Sequence, residues 1–185
     1  MYNALLDRLP EDYEGWLIRT DYRIGVQLQL CLSDPDLSDS EKTGTALWLL
    51  YGQGTPDLQT ALAGLDWFMS CGNPPPAPEE EGGEGEAVYS FEHDAGRIFS
   101  AFRKVFGLDI SRERLHWFQF VPMLADLSGT AFTNVIDIRT TKEKDVAKDR
   151  RTEFLRMQKR FALPRQGWSP EENEKINAVV DKLRG

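Results

Sequence analysis

Residues 115–129, LHWFQFVPMLADLSG, gather a tryptophan, two phenylalanines, a methionine and three leucines, with His116 and Gln119 the only polar side chains before Ala125. At about 100° per residue, Trp117, Phe118, Phe120, Val121, Met123, Leu124 and Leu127 point nearly all round a helix. A helix with no polar face is either covered on several sides by its own fold or turned toward a partner. The stretch is therefore read in two ways: as the centre of a helical bundle, or as the wall of a partner-binding groove made by Trp117, Phe118, Phe120 and Met123. Ser111 offers a cap upstream. Pro122 removes one backbone hydrogen bond, which predicts an element in two pieces.

Upstream, residues 89–111, YSFEHDAGRIFSAFRKVFGLDIS, form the most regular helical pattern in the chain. Phe91, Ala95, Ile98, Phe99, Phe102, Val105 and Phe106 share one stripe, and Gly107 stands where a left-handed terminator belongs. Downstream, GTAFTNVIDIR begins with Thr130 or Thr133 as cap and buries Phe132, Val135 and Ile136; a short strand through NVIDI is the competing reading. A long helix is expected over 142–162, ended by Pro164. Its buried stripe is Val146, Ala147, Phe154, Met157 and Phe161. Beyond it, Ser169, Pro170 and the acids that follow mark the start of a C-terminal helical extension over 166–185.

In the N-terminal half, YEGWLIRT places Gly15 where a short hairpin or β-arm would turn. A helix capped by Thr20 or Asp21 follows, with Ile24, Leu28, Cys31 and Leu32 as its apolar face and a stop before Pro35. Ser38 and Glu41 form a capping box for a second helix, whose stripe is Leu47, Trp48, Leu50 and Tyr51. A third helix takes Thr55 as cap, Pro56 at its first position and Gly72 as terminator. Between the halves, residues 73–88 hold a linker rich in proline, glutamate and glycine, too poor in apolar residues to offset the entropy of ordering; it is read as disordered. The expected architecture is mainly α: a bundle of six or seven helices in a single domain over 1–185, with a small N-terminal β-hairpin or arm and a disordered acidic loop.

Charge divides unevenly along these elements. Residues 1–88 carry 16 acids and 4 bases, whereas residues 139–165 carry 4 acids and 10 bases. On the 142–162 helix, Lys148, Arg156, Lys159 and Arg160 lie opposite the apolar stripe, interleaved with Asp145, Asp149 and Glu153 as on an ordinary solvated face. Arg150 and Arg151 are placed to pair with acids of the first half. Nucleic-acid binding through Arg156, Lys159, Arg160 and Arg165 is the minor alternative, disfavoured by a sequence pI of about 4.9.

Catalytic chemistry is thinly supplied. Cys31 and Cys71 are the only cysteines, and 40 residues apart they have no metal-ligand spacing and outline no disulfide framework. His93 and His116 are the only histidines. Glu92, His93 and Asp94 diverge by about 100° each on a helix and do not converge on one ion. No phosphate-binding, nucleophile-elbow or zinc-helix motif occurs. The reading is of a non-enzyme with no metal and no cofactor. No run approaches the roughly 18 apolar residues of a spanning helix, and the N-terminus lacks a basic, cleavable leader.

Three stretches together resemble the bacteriophage Gp15 family: YSFEHDAGRIFSAFRKVFGLDIS, LHWFQFVPMLADLSGTAFTNVIDIRT, and a basic helix closing in FALP. The N-terminal WLIRTDYRIGVQLQLCL is similar to the start of the same family, so the resemblance covers about residues 10–164 apart from the acidic linker. It implies a phage or prophage protein of the tail region, encoded near the major tail protein and the tape-measure protein. The role implied is that of a tail assembly chaperone in the cytoplasm of the bacterial host, binding one or both of those proteins. The alternative is a structural component of the mature tail, and homo-oligomers are compatible with either. Candidate partner-binding residues are Trp117, Phe118, Phe120, Met123, Arg156, Lys159 and Arg160.

Overall fold

A computed structural model describes residues 2–73 and 87–164. The linker expected over 73–88 falls outside the described residues from 74 to 86, as does the expected 166–185 helix. Seven α-helices and one antiparallel hairpin are present among the described residues.

The hairpin pairs β1 (Asp12–Tyr13) with β2 (Trp16–Leu17), Tyr13 facing Trp16 across the ladder. Its two turn residues have φ of +51° at Glu14 and +84° at Gly15, the mirror-image turn whose twist matches that of the strands. The Asp12 carboxylate accepts the Gly15 amide at 3.0 Å and steadies the turn.

α1 (Tyr22–Ser33) starts at Asp21, whose side chain accepts the Arg23 amide. Its buried residues are Tyr22, Gly25 and Leu28; Leu32, expected on that face, is exposed. The Ser38 and Glu41 capping box opens α2 (Asp39–Tyr51). Ala46, Leu47, Leu50 and Tyr51 are buried there, but Trp48 is 57% exposed, because the α2 stripe is narrow and Trp48 falls beside it. α3 (Leu58–Met69) takes Asp57 as its cap, with amides of Gln59 and Thr60 donating to the carboxylate. The expected cap at Thr55 and first position at Pro56 are thus displaced, since a carboxylate is the stronger acceptor for free helix amides. Gly72 does close the segment, with φ of +73°.

α4 (Ala95–Phe106) begins four residues later than Phe91, where Asp94 is held in a turn, and ends at left-handed Gly107. Ile98, Ala101 and Phe102 are its buried residues, while Val105 is 38% exposed. α5 (Trp117–Ala125) runs unbroken through Pro122 and is capped by His116 rather than Ser111. The proline forfeits a single bond, the helix ends three residues later, and the ring lies on the exposed side. α6 (Ala131–Thr140) is a helix and not a strand, opened by a reciprocal cap between Thr130 and Thr133.

The expected long helix over 142–162 is interrupted. A single 3-10 turn (Glu143–Asp145) is followed by extended backbone at Val146, and α7 (Arg151–Phe161) starts afterwards. Across the break the Arg151 guanidinium donates to the Val146 carbonyl at 3.0 Å, which holds the extended residue against the start of α7. Among the described residues neither Arg150 nor Arg151 forms the ion pair with an acid of the first half that is expected of both; the first-half acids at 79–86 lie outside the described residues. α7 buries no residue fully; Phe154, Met157 and Phe161 are half-buried and Ala147 is exposed.

The core collects around α5. One buried cluster runs from Ile18 to Phe132 and includes Trp117, Phe118, Phe120, Leu124 and Leu127. Phe120 stacks between Tyr22 of α1 at 4.6 Å and Phe102 of α4 at 5.1 Å. Trp117 stacks on Phe68 of α3, and Phe118 meets Tyr2 and Trp67. Three neighbours cover three faces of this short helix and leave only a narrow exposed edge at Gln119, Pro122 and Ala125, which is why it carries so little polar surface.

Candidate partner-binding surface

Trp117, Phe118 and Phe120 are 1%, 3% and 1% exposed, so in this conformation the groove-wall arrangement gives way to core packing. Met123 is half-buried against the same cluster. The physical reason is the aromatic stacking from α1, α3 and α4, which leaves no ring face open.

His116 is built into the chain entry of α5. Its Nδ1 accepts the Phe118 amide at 3.0 Å, which fixes the proton on Nε2, and Nε2 donates to the Pro10 carbonyl at 2.9 Å. Burial pushes the pKa of the ring below its ordinary value, against smaller opposing effects of the Pro10 carbonyl and Glu11. Backbone bonds between Thr20 and Trp117 and between Tyr22 and Leu115 lie beside it. The histidine therefore joins the N-terminal arm to α5. His93, by contrast, is exposed, within 3.2 Å of Ser90 and 3.9 Å of Glu92.

Asp94, fully buried, forms the strongest polar knot. Arg139 of α6 grips both of its oxygens at 2.6 and 3.1 Å, Arg97 adds a bond at 2.9 Å, and the Ser90 amide donates at 3.1 Å. Burial by itself would raise the carboxyl pKa; the Arg139 bonds, the Ser90 amide and the two arginine charges outweigh it and hold the group below the usual range. Arg139 also donates to the Phe161 carbonyl at 2.6 Å and the Val88 carbonyl at 3.1 Å. One guanidinium thus ties α6, the entry of α4 and the end of α7. Burial pushes the Cys71 thiol up to about 11 and raises that of Cys31 as well. Among the described residues no group of three or more His, Cys, Asp or Glu side chains is placed to hold a metal ion. No helix among them is long and apolar enough to cross a membrane.

Arg156, Lys159 and Arg160 are exposed and, at i, i+3 and i+4, share one face of α7. Leu155, 40% exposed, lies beside them. The Arg160 guanidinium sits 5.7 Å from the Phe161 ring centre.

The most exposed large apolar side chains among the described residues lie elsewhere, in the N-terminal arm and its hairpin. Leu5 and Leu6 are 93% and 82% exposed, and Leu17 of the hairpin is 75% exposed. The turn that carries the two leucines is hydrogen-bonded throughout: Asp7 accepts the Asn3 amide at 2.8 Å, the Asn3 side chain accepts the Leu5 amide at 3.0 Å, and the Asn3 carbonyl accepts from Leu6 and Asp7. The arm is held at both ends, by the Tyr2 amide on the Gly72 carbonyl at 3.2 Å and by Pro10 on His116. Reasoning from sequence passed over this arm. The available signal was the set Tyr2, Leu5, Leu6 and Leu9, apolar at i, i+3, i+4 and i+7 among Asn3, Asp7 and Arg8, a spacing that marks one face of a turn without saying whether that face is covered.

A mainly helical protein organised around one largely apolar helix, with a hydrogen-bonded apolar arm turned outward, is what fold and surface define. The chain belongs to the Bacteriophage Gp15 protein family, whose model matches residues 3–163, the arm included. A search of curated proteins and one of solved structures find no match.

Proposed function

We propose that this protein is a non-catalytic tail assembly chaperone of a phage or prophage, acting by reversible binding to the tape-measure protein, the major tail protein or both. Family membership supports a structural or assembly role in a phage. The observation that carries the reading further is the anchored arm presenting Leu5 and Leu6 to solvent. Isolated exposed leucines are common, but a pair held outward on a bonded turn is suited to receive an apolar helix face. A tape measure is a long helical chain, and a chaperone for it needs such surface ringed by charge.

Co-expression with the neighbouring tape-measure protein tests the reading. Soluble tape measure co-eluting with this chain is the expected result. Unchanged insolubility, with no complex on gel filtration, overturns it.

A further inference from the structure

We infer that the Leu5/Leu6 turn is a docking site for a basic amphipathic helix, one whose apolar stripe is flanked by lysine or arginine. The inference rests on the reading of the chain as a protein-binding component and adds the chemistry of what it binds.

Two observations carry it. The first is geometric: the turn is fixed before any partner arrives, by four hydrogen bonds within Asn3–Asp7 and by attachments at Tyr2 and Pro10. Its leucines, at 93% and 82% exposed, gain nothing from the fold that displays them. A prearranged apolar contact loses little freedom on docking, which favours binding.

The second is electrostatic. Asp7, bonded within the turn itself, and Glu11, Asp12 and Glu14, which follow it in the arm and hairpin, are all exposed, with Arg8 the one base among residues 2–17. Apolar contact within an acidic field selects a partner segment of opposite charge and repels an acidic one.

The test uses the full chain and two labelled synthetic helices, one of leucine and lysine and one of leucine and glutamate, followed by fluorescence anisotropy. The leucine/lysine helix is expected to bind and the leucine/glutamate helix not to. Leu5→Ser combined with Leu6→Ser, which leaves every charge in place, weakens binding by about tenfold or more. Glu11→Gln with Glu14→Gln weakens it several-fold and flattens its salt dependence. Equal binding of both helices, or undiminished binding by the serine variant, overturns the inference in favour of unspecific attraction. Sedimentation showing a wild-type oligomer that the serine variant dissolves also overturns it, because a second copy would then be the occupant. No tail protein enters these measurements, so their failure leaves the co-expression result to stand or fall separately.

Discussion

The six-membered ring of Trp117 occupies the space that a Cβ at residue 25 would need, so α1 approaches α5 only because residue 25 is glycine. Tyr22 and Phe120 stack one turn away and extend the same contact. Gly25→Ala forces the indole or the helix to shift and is expected to cost about 1–3 kcal/mol or more. Urea denaturation of the variant, with unchanged slope and a lower midpoint, is the check.

Core and surface aromatics are expected to separate sharply. Phe120, 1% exposed and stacked on both sides, should cost about 3–5 kcal/mol on truncation to alanine. Trp48, 57% exposed with the Arg19 guanidinium 5.1 Å from its ring centre, should lose no more than about 1 kcal/mol. Thermal melts of Phe120→Ala and Trp48→Ala compare them directly; equal losses contradict the placement of α5 at the centre.

The knot at Asp94 makes a prediction in both mutation and pH. Asp94→Asn leaves Arg139, only 10% exposed, without its counter-charge and is expected to cost about 3–5 kcal/mol. Because the folded carboxyl titrates below its unfolded value of about 3.9, its contribution is complete above that pH and is lost as pH falls through the folded pKa. Acid titration of stability should therefore be steeper in the wild type than in Asp94→Asn.

His116 acts in a higher window. Its folded pKa is depressed, so below about pH 6.5 the unfolded chain takes up a proton that the folded chain refuses, and stability declines until pH passes below the folded pKa. His116→Asn retains a capping side chain and should remove that slope. Denaturant midpoints between pH 5 and 8, as a range spanning the ordinary histidine value, provide the measurement.

Local rules were the legible part of this fold. The Ser38 capping box, the Gly107 terminator and the hairpin turn at Gly15 depend on neighbours a few residues apart, and each appears where its residues predict it. Choices between competing local acceptors were not legible. Asp57 displaces Thr55, and the expected 142–162 helix is divided at Val146, whose carbonyl accepts from Arg151 across the break. Both readings of 115–129 followed from its lack of a polar face, and only the positions of Tyr22, Phe68 and Phe102 choose the core. The surface that the proposed function uses lay hidden for the opposite reason. Tyr2, Leu5, Leu6 and Leu9 recur at the spacing of a buried stripe, yet Leu5 and Leu6 are exposed, and their placement depends on the anchoring of Tyr2 and Pro10 to residues 70 and 106 positions away.

Mass spectrometry of purified tail-assembly intermediates and of finished particles tests the proposed role most directly. The account predicts this chain together with the tape-measure protein in the intermediates and its absence from the particles. Stoichiometric retention in finished particles would contradict it and identify a permanent tail component instead.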